Sequence, residues 1–408
     1  MEQNEYETIN QLLEQANRYR YCDLPNSKQT SQRLLAESRK HHHIIGQIRA
    51  LLDLAHLAYI MYEFDDCYAH AEEARNLAHQ NNMPIREGLA LYELFKFYRL
   101  TSQTDLAVEA MYLIKELGDV HQNIDLLSCA LMGLGAYECW ANPTNYQQGI
   151  AYLQEAITHR SKEDSQLPVA DAWVSLAIGY QGYDLEKAKT VAHQAYDIAR
   201  EQKIIHSQLY ALDQLCTAHA DLGELEQAHE FGQRAIQFSQ QHAIPTDYTL
   251  SHIAYIYRKE KKFEQAIKIL DDLEVSCKAS KKYHLLSYVY QDLTDIYEQQ
   301  ANFEKAYHYI QQYYANSQGL YDKQTQMRIE HLQTKYEVEA TKREAELHKI
   351  KSQLLEQELA QQKAQETQRI EQLRLDLATQ KQQILERLAH DFRTPLSVIQ
   401  MATTSLDR

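Results

Sequence analysis

Through the first 320 residues, apolar side chains return every three or four positions, give way to a few polar residues, and then return. That spacing puts them on one face of a helix, so each run predicts an amphipathic helix and each break a turn. The runs come in pairs. One pair reads Leu215, Cys216, His219, Gly223, Leu225, Ala228, Ala235, and another Ile253, Ala254, Tyr257, Phe263, Ala266, Leu270. A third reads Leu293, Thr294, Tyr297, Phe303, Ala306, Ile310. Weaker copies stand upstream, over Leu176 to Ala188, Leu94 to Ala107, Leu54 to Ala74 and Tyr146 to Ala156. A small residue of the second run recurs at 67, 107, 149, 188, 228, 266 and 306, in steps of 40, 42, 39, 40, 38 and 40. A degenerate eighth unit precedes them, with Leu12, Leu13, Ala16, Leu34, Leu35 and Ser38.

A lone hairpin of this kind cannot bury its apolar face. Stacked hairpins share one, so the repeat predicts an all-α solenoid. Pro25, Pro84, Pro143, Pro168 and Pro245 fall between the expected helices. The pattern Leu, small, two residues, Tyr, then Ala nine later (Tyr257 and Ala266, Tyr297 and Ala306) resembles the tetratricopeptide repeat. These units are longer than that family's usual repeat of about 34 residues. The resemblance covers 1–318 and implies a concave groove lined by the first helix of each hairpin. Of 29 tyrosines, 27 lie before residue 321, and more than half of these fit packing positions. Those left over suit a groove for a peptide or protein, since tyrosine offers area and a hydrogen-bonding tip.

From Leu320 to Thr394 there is neither Gly nor Pro. The segment is rich in Gln, Glu, Lys and Leu, and reads as one helix of roughly 100 Å. Its apolar residues keep steps of three and four: Ile329, Leu332, Tyr336; Leu347, Ile350, Leu354; Ile370, Leu373, Leu377, then Ile384. This is a coiled-coil rhythm with interrupted register, and it predicts a parallel homodimer.

Near the end stands Glu386 to Ile399, ERLAHDFRTPLSVI. On a helical wheel, Leu388, Phe392 and Ile399 fall about 160–200° from His390, which places His390 on the polar face. Asp391, Arg393 and Thr394 lie on its flanks. The run His390, Asp391, Phe392, Arg393, Thr394, Pro395, Leu396 resembles the phosphoacceptor box of sensor histidine kinases. The resemblance implies that His390 accepts a phosphoryl group, with Asp391 as general base. Thr394 would position water for the reverse reaction, and Arg393 completes the box. It further implies ATP and Mg2+, bound by a domain absent from this chain, and a response regulator as partner. The expected domains are a repeat sensor at 1–318, a coiled-coil signalling helix at 319–380, and the start of a dimerisation and phosphoacceptor domain at 381–408. The alternative is a non-catalytic solenoid adaptor that dimerises through its C-terminal helix.

Charge and composition narrow the rest. The net charge is −15, and residues 321–408 carry equal numbers of acids and bases, so the whole excess sits in the repeats. An acidic body argues against nucleic acid as partner. The six cysteines form no CxxC pair, which fits small buried residues in a reducing compartment. No metal site is expected, His41 to His43 included, because three adjacent histidines share no helix face. No run reaches the ~20 apolar residues of a membrane span, and the N-terminus resembles no signal peptide. A cytoplasmic location follows as the expectation. The one GxG, Gly133 to Gly135, lies inside a predicted helix and makes no phosphate loop.

Overall fold

The computed structural model describes residues 2–101, 103–141, 145–280, 282–317 and 323–406. The side chains of 2–6, 140–141, 317, 323–340, 343, 392, 394–396 and 398–406 lie outside that description. Among the described residues there are seventeen helices and no strand. Sixteen of them pair into eight antiparallel hairpins. The first four hairpins are α1 (Glu2–Tyr19) with α2 (Leu24–Lys40), α3 (Ile44–Ile60) with α4 (Phe64–Gln80), α5 (Pro84–Leu100) with α6 (Thr104–His121), and α7 (Ile124–Ala141) with α8 (Tyr146–Arg160). The next four are α9 (Val169–Gln181) with α10 (Leu185–Glu201), α11 (Ile205–Asp221) with α12 (Leu225–Gln241), α13 (Asp247–Lys259) with α14 (Phe263–Ala279), and α15 (Tyr283–Gln299) with α16 (Phe303–Ser317). The long helix α17 (Lys323–Leu406) follows. The chain divides into two compact units, Met1–Gln333 and Thr334–Arg408.

The small residue at each repeat step is the fourth residue of a second helix, and all seven are buried. A short side chain there lets the paired helices approach. The first hairpin obeys the same rule through Ser27, which is buried 40 positions before Cys67. The sequence reading placed Ser38 in that role and passed over Ser27. The approach is tightest between α7 and α8. A Cβ added at Gly149 would stand 2.8 Å from the Gly135 oxygen and 2.9 Å from the Cys139 nitrogen. The Gly133–Gly135 pair therefore serves helix contact.

Proline lies between helices at Pro168 and Pro245, as expected, but it marks few of the turns. Pro25 and Pro84 sit in the first turns of α2 and α5, where a missing N–H costs nothing. Pro168 caps α9, and Pro143 lies outside the described residues. Most links are instead closed by a left-handed residue: His42, Tyr62, Asn82, Gln122, Lys203, Gly223, Ala243, Lys261 or Ala301. The next N–H then reaches back five residues, as from Glu63 to the Ala58 oxygen (2.8 Å) and from Ile244 to that of Ser239 (2.9 Å). Only one of these nine residues is glycine, which explains how a chain with 11 glycines makes so many sharp turns. His43 caps α3 by accepting the Gly46 N–H at its Nδ1 (3.0 Å).

Within the first unit the superhelix curls until early and late hairpins touch. The Ile205 N–H donates to the Tyr21 oxygen (2.9 Å). Tyr62 and Tyr248 stack with ring centres 4.9 Å apart, and the His56 and His206 rings meet edge-on at 5.0 Å. Cys67, Cys129, Cys216 and Cys277 are buried as expected, whereas Cys22 is exposed. In the second unit, Leu347, Ile350, Leu354, Leu373, Leu377 and Ile384 all stand exposed along α17. The helix runs on through position 395, although a proline there has no N–H to give to the helix. None of the described helices is long and apolar enough to cross a membrane.

Candidate functional site

The curl of the first unit encloses a cavity of about 600 Å3. Its wall is built mainly by the first helices of successive hairpins, α3, α5, α7, α9, α11, α13 and α15. These helices face inward because the small and apolar positions on their other sides are taken by the second helices. The remaining inward positions are polar or aromatic, and they join neighbouring hairpins. Lys96 Nζ lies 3.0 Å from His56 Nδ1, and Arg99 Nη2 donates to the Tyr59 hydroxyl (3.1 Å); each pair is 40 positions apart. His206 Nε2 lies 2.9 Å from Asp171, which also accepts from Ser207. Further round, Arg258 bonds Asp295 (2.6 Å), and Tyr255 donates to Asp221.

Most charges inside the wall are met by charges. Asp53, 1% exposed, lies between Arg20 and Arg49, each at 2.8 Å. Lys96 pairs with Glu93, and Arg160 reaches Asp171 at 3.4 Å. Where burial acts on a group of this wall, its outcome depends on the partner. Burial raises the Glu93 carboxyl, although Lys96 pulls it down. Burial would raise Asp171 too, but His206 and Arg160, with the Ser207 hydroxyl, hold it well below the usual carboxylate range. Burial, then the Lys96 charge, keeps His56 neutral. Burial and the Arg99 charge bring His284 down to about 3. The Asp292 carboxyl is pushed up to about 6 by burial. Such a wall can read a ligand by hydrogen bonds and charge, flanked by the rings of Tyr59, Tyr62, Tyr92, Tyr210 and Tyr248.

The residues singled out in the phosphoacceptor-like box stand elsewhere. His390 and Asp391 belong to α17 in the second unit, 82% and 79% exposed, with His390 Nδ1 3.7 Å from Asp391 Oδ1. Arg393 is exposed as well, and the Thr394 side chain lies outside the described residues. Trp173 packs into the wall's apolar backing, and the Trp140 side chain also lies outside the description. Sequence reasoning saw tyrosines in the groove but missed the ladder that includes His56, Lys96, Arg99 and Asp171. Its signal was present: polar residues on first helices that recur one repeat step apart, as at 56 and 96 or 59 and 99.

No family model matches this chain, and no curated protein matches it. Solved structures do. A Rap protein complexed with the competence and sporulation factor has 11% identity and a TM-score of 0.58, covering 78% of this chain and 99% of that one. The Rap conjugation gene regulator of plasmid pLS20, in complex with a Phr peptide, has 14% identity and a TM-score of 0.52, covering 70% and 80%. Aspartyl phosphate phosphatase F from Bacillus subtilis has 17% identity and a TM-score of 0.50, covering 76% and 93%. The likeness is one of fold. It supports the helical-repeat solenoid, and it overturns the expectation of a protein histidine kinase. The similar structures are Rap regulators and a phosphatase, and no kinase family or kinase relative matches. With the kinase goes the ground for expecting a response regulator as partner. The physical reason is that a seven-residue box on an exposed helix specifies little structure, whereas the repeats specify some 300 residues of it.

Proposed function

We propose that this protein is an interaction adaptor that holds a short peptide in its solenoid cavity and pairs α17 with that of a second copy. The cavity carries the reading. Its volume of about 600 Å3 falls in the range of roughly 300–1,000 Å3 that takes a compact ligand, too small for a folded domain. Contact between Tyr21 and Ile205 closes the ring beside it, so a ligand seats inside the curl and not along an open trough. Hydrogen-bonding side chains from seven first helices suit an extended backbone, whose donors and acceptors must all be met when buried. That two of the similar structures hold a factor or a peptide supports the same reading. For α17, a row of exposed leucines and isoleucines at coiled-coil spacing favours a like helix as its cover.

The test is retention. The full chain is mixed with a random hexapeptide library and passed through a desalting column, and bound peptides are read by mass spectrometry. Peptides are expected with the wild type and at least about tenfold fewer with Ala136→Trp, which fills the cavity from α7. Equal retention by both would place the binding elsewhere.

A further inference from the structure

Five cations line the cavity: Arg20, Lys96, Arg99, Arg160 and Arg258. Four have a carboxylate. Arg20 meets Asp53 at 2.8 Å, Lys96 meets Glu93, Arg160 meets Asp171 at 3.4 Å, and Arg258 meets Asp292 at 2.9 Å. Arg99 has none among the described residues. Its hydrogen bond goes to the Tyr59 hydroxyl, at 3.1 Å, a neutral group. The side chain is exposed, and the space that it faces is the cavity. A guanidinium stays charged in any such setting and carries five donors, so one neutral acceptor leaves most of them to other partners.

A second group beside it is also unmatched. The Tyr248 hydroxyl is buried and has no hydrogen-bond partner among the described residues. Its ring is fixed by stacking on Tyr62. Tyr248 belongs to α13 and Arg99 to α5, so the two meet only because the superhelix curls back on itself. Tyr210 and Tyr288 complete the surround. His284, held neutral, adds no second positive charge. A position in the last turn of α5 favours a cation at residue 99 through the helix dipole. That does not account for the idle hydroxyl on a tyrosine that lines the same cavity.

We propose that the cavity grips its peptide by a carboxylate, held between the Arg99 guanidinium and the Tyr248 hydroxyl. The proposal rests on the reading of the cavity as a peptide site. One unpaired guanidinium matches one carboxylate, with two parallel N–H to oxygen bonds, and the tyrosine O–H supplies a third donor. A fully ionised phosphate would bring more charge than the site balances. The carboxylate can be the peptide's C-terminus or an Asp or Glu side chain, and both present the same two oxygens.

Four hexapeptide libraries separate the cases: free-acid or amidated C-terminus, each with or without Asp and Glu. Each is passed over the full chain as above. The library with no carboxylate is expected to be retained at least about tenfold less than the best of the other three, the size of one charged hydrogen-bond pair. If the free-acid library without Asp and Glu is kept, the C-terminus is the source; if only the two libraries with Asp and Glu are kept, free-acid and amidated alike, the side chain is. Arg99→Gln should abolish the discrimination, and Tyr248→Phe, which keeps the stacked ring, should weaken it several-fold. Melting followed by circular dichroism checks that each variant folds, and Tyr248→Phe decides alone if Arg99→Gln does not. Equal retention of all four libraries by the wild type overturns the carboxylate grip and leaves the peptide reading standing. Unchanged discrimination in the folded variants assigns the grip to other residues and overturns it too. Retention of none removes the peptide reading, and this one with it.

Discussion

At the scale of single residues, the cavity wall holds its polar groups in fixed states of charge, and pH should reveal this. His284 and His56 are both neutral in the fold, because burial and a neighbouring cation oppose the proton. Released in the unfolded chain, each takes up a proton near pH 6.5. A histidine whose pKa is lowered by folding contributes stability in full above about pH 6.5. That stability drains away as the pH falls, for His284 down to about 3. Asp171 has the opposite ancestry, since its carboxyl is held low by His206 and Arg160. Its contribution is lost only below the ordinary carboxylate range and leaves the interval from pH 7 to 5 untouched. Asp292 works the other way, since its raised carboxyl takes up a proton in the fold within this interval. The histidine share is therefore read by difference: on going from pH 7 to pH 5 the urea midpoint of His284→Gln should gain relative to that of the wild type. A slope that His284→Gln leaves unchanged would show that His284 is protonated in the fold. The charge state of these residues was not legible from sequence alone, even where a recurrence such as 56 and 96 marked the position. A histidine at 284 looks like any other until the curl brings Arg99 of a distant hairpin beside it.

At the scale of elements, the sequence was far more informative. Seven small residues at near-equal steps located seven second helices, because one geometric need, close helix approach, recurs at one place in each repeat. The first hairpin was harder to place because serine fills that position, at Ser27, and serine also reads as a surface or turn residue. The turns were misjudged for a related reason. Left-handed backbone is easiest for glycine, at roughly 1–2 kcal/mol less than for other residues, yet here alanine, lysine, histidine and tyrosine adopt it under the pull of the capping bonds. For α17 the legible feature is its row of apolar residues, whose exposure on a single helix makes a definite demand. Sedimentation velocity on the full chain should give a species near twice its 47.7 kDa at micromolar concentration. Leu347→Lys combined with Leu354→Lys should return it toward the single-chain mass, since a charge at each seam position opposes pairing. A wild type that sediments at the single-chain mass would remove the second copy from the proposal.

At the scale of the whole repeat unit, what the sequence could not announce was closure. Helix spacing says that hairpins stack, but the number of hairpins needed to bring Tyr62 against Tyr248 depends on small rotations summed over many interfaces. Closure should be visible in hydrogen exchange. The Ile205 amide, tied to the Tyr21 oxygen, is expected to be slow in the wild type. Tyr62→Ala removes the ring that Tyr248 stacks on, and should speed exchange at Ile205 at least about tenfold while leaving the mid-helix amides of α7 and α8 unchanged. Equal protection at Ile205 in both would mean that the seam does not depend on this stack.

The same bond sets a condition on how the protein is made. Tyr21 leaves the ribosome 184 residues ahead of the Ile205 amide that it will hold. At synthesis rates of about 5–20 residues per second, that is a wait of roughly 10–40 s. During it the first hairpins can stack on one another as they emerge, yet the Tyr21 carbonyl still lacks the Ile205 amide and the Tyr62 ring still lacks Tyr248. The nascent chain thus passes through a half-wound stage with its future seam bare, and the last hairpins must arrive before the ring that defines the cavity exists at all.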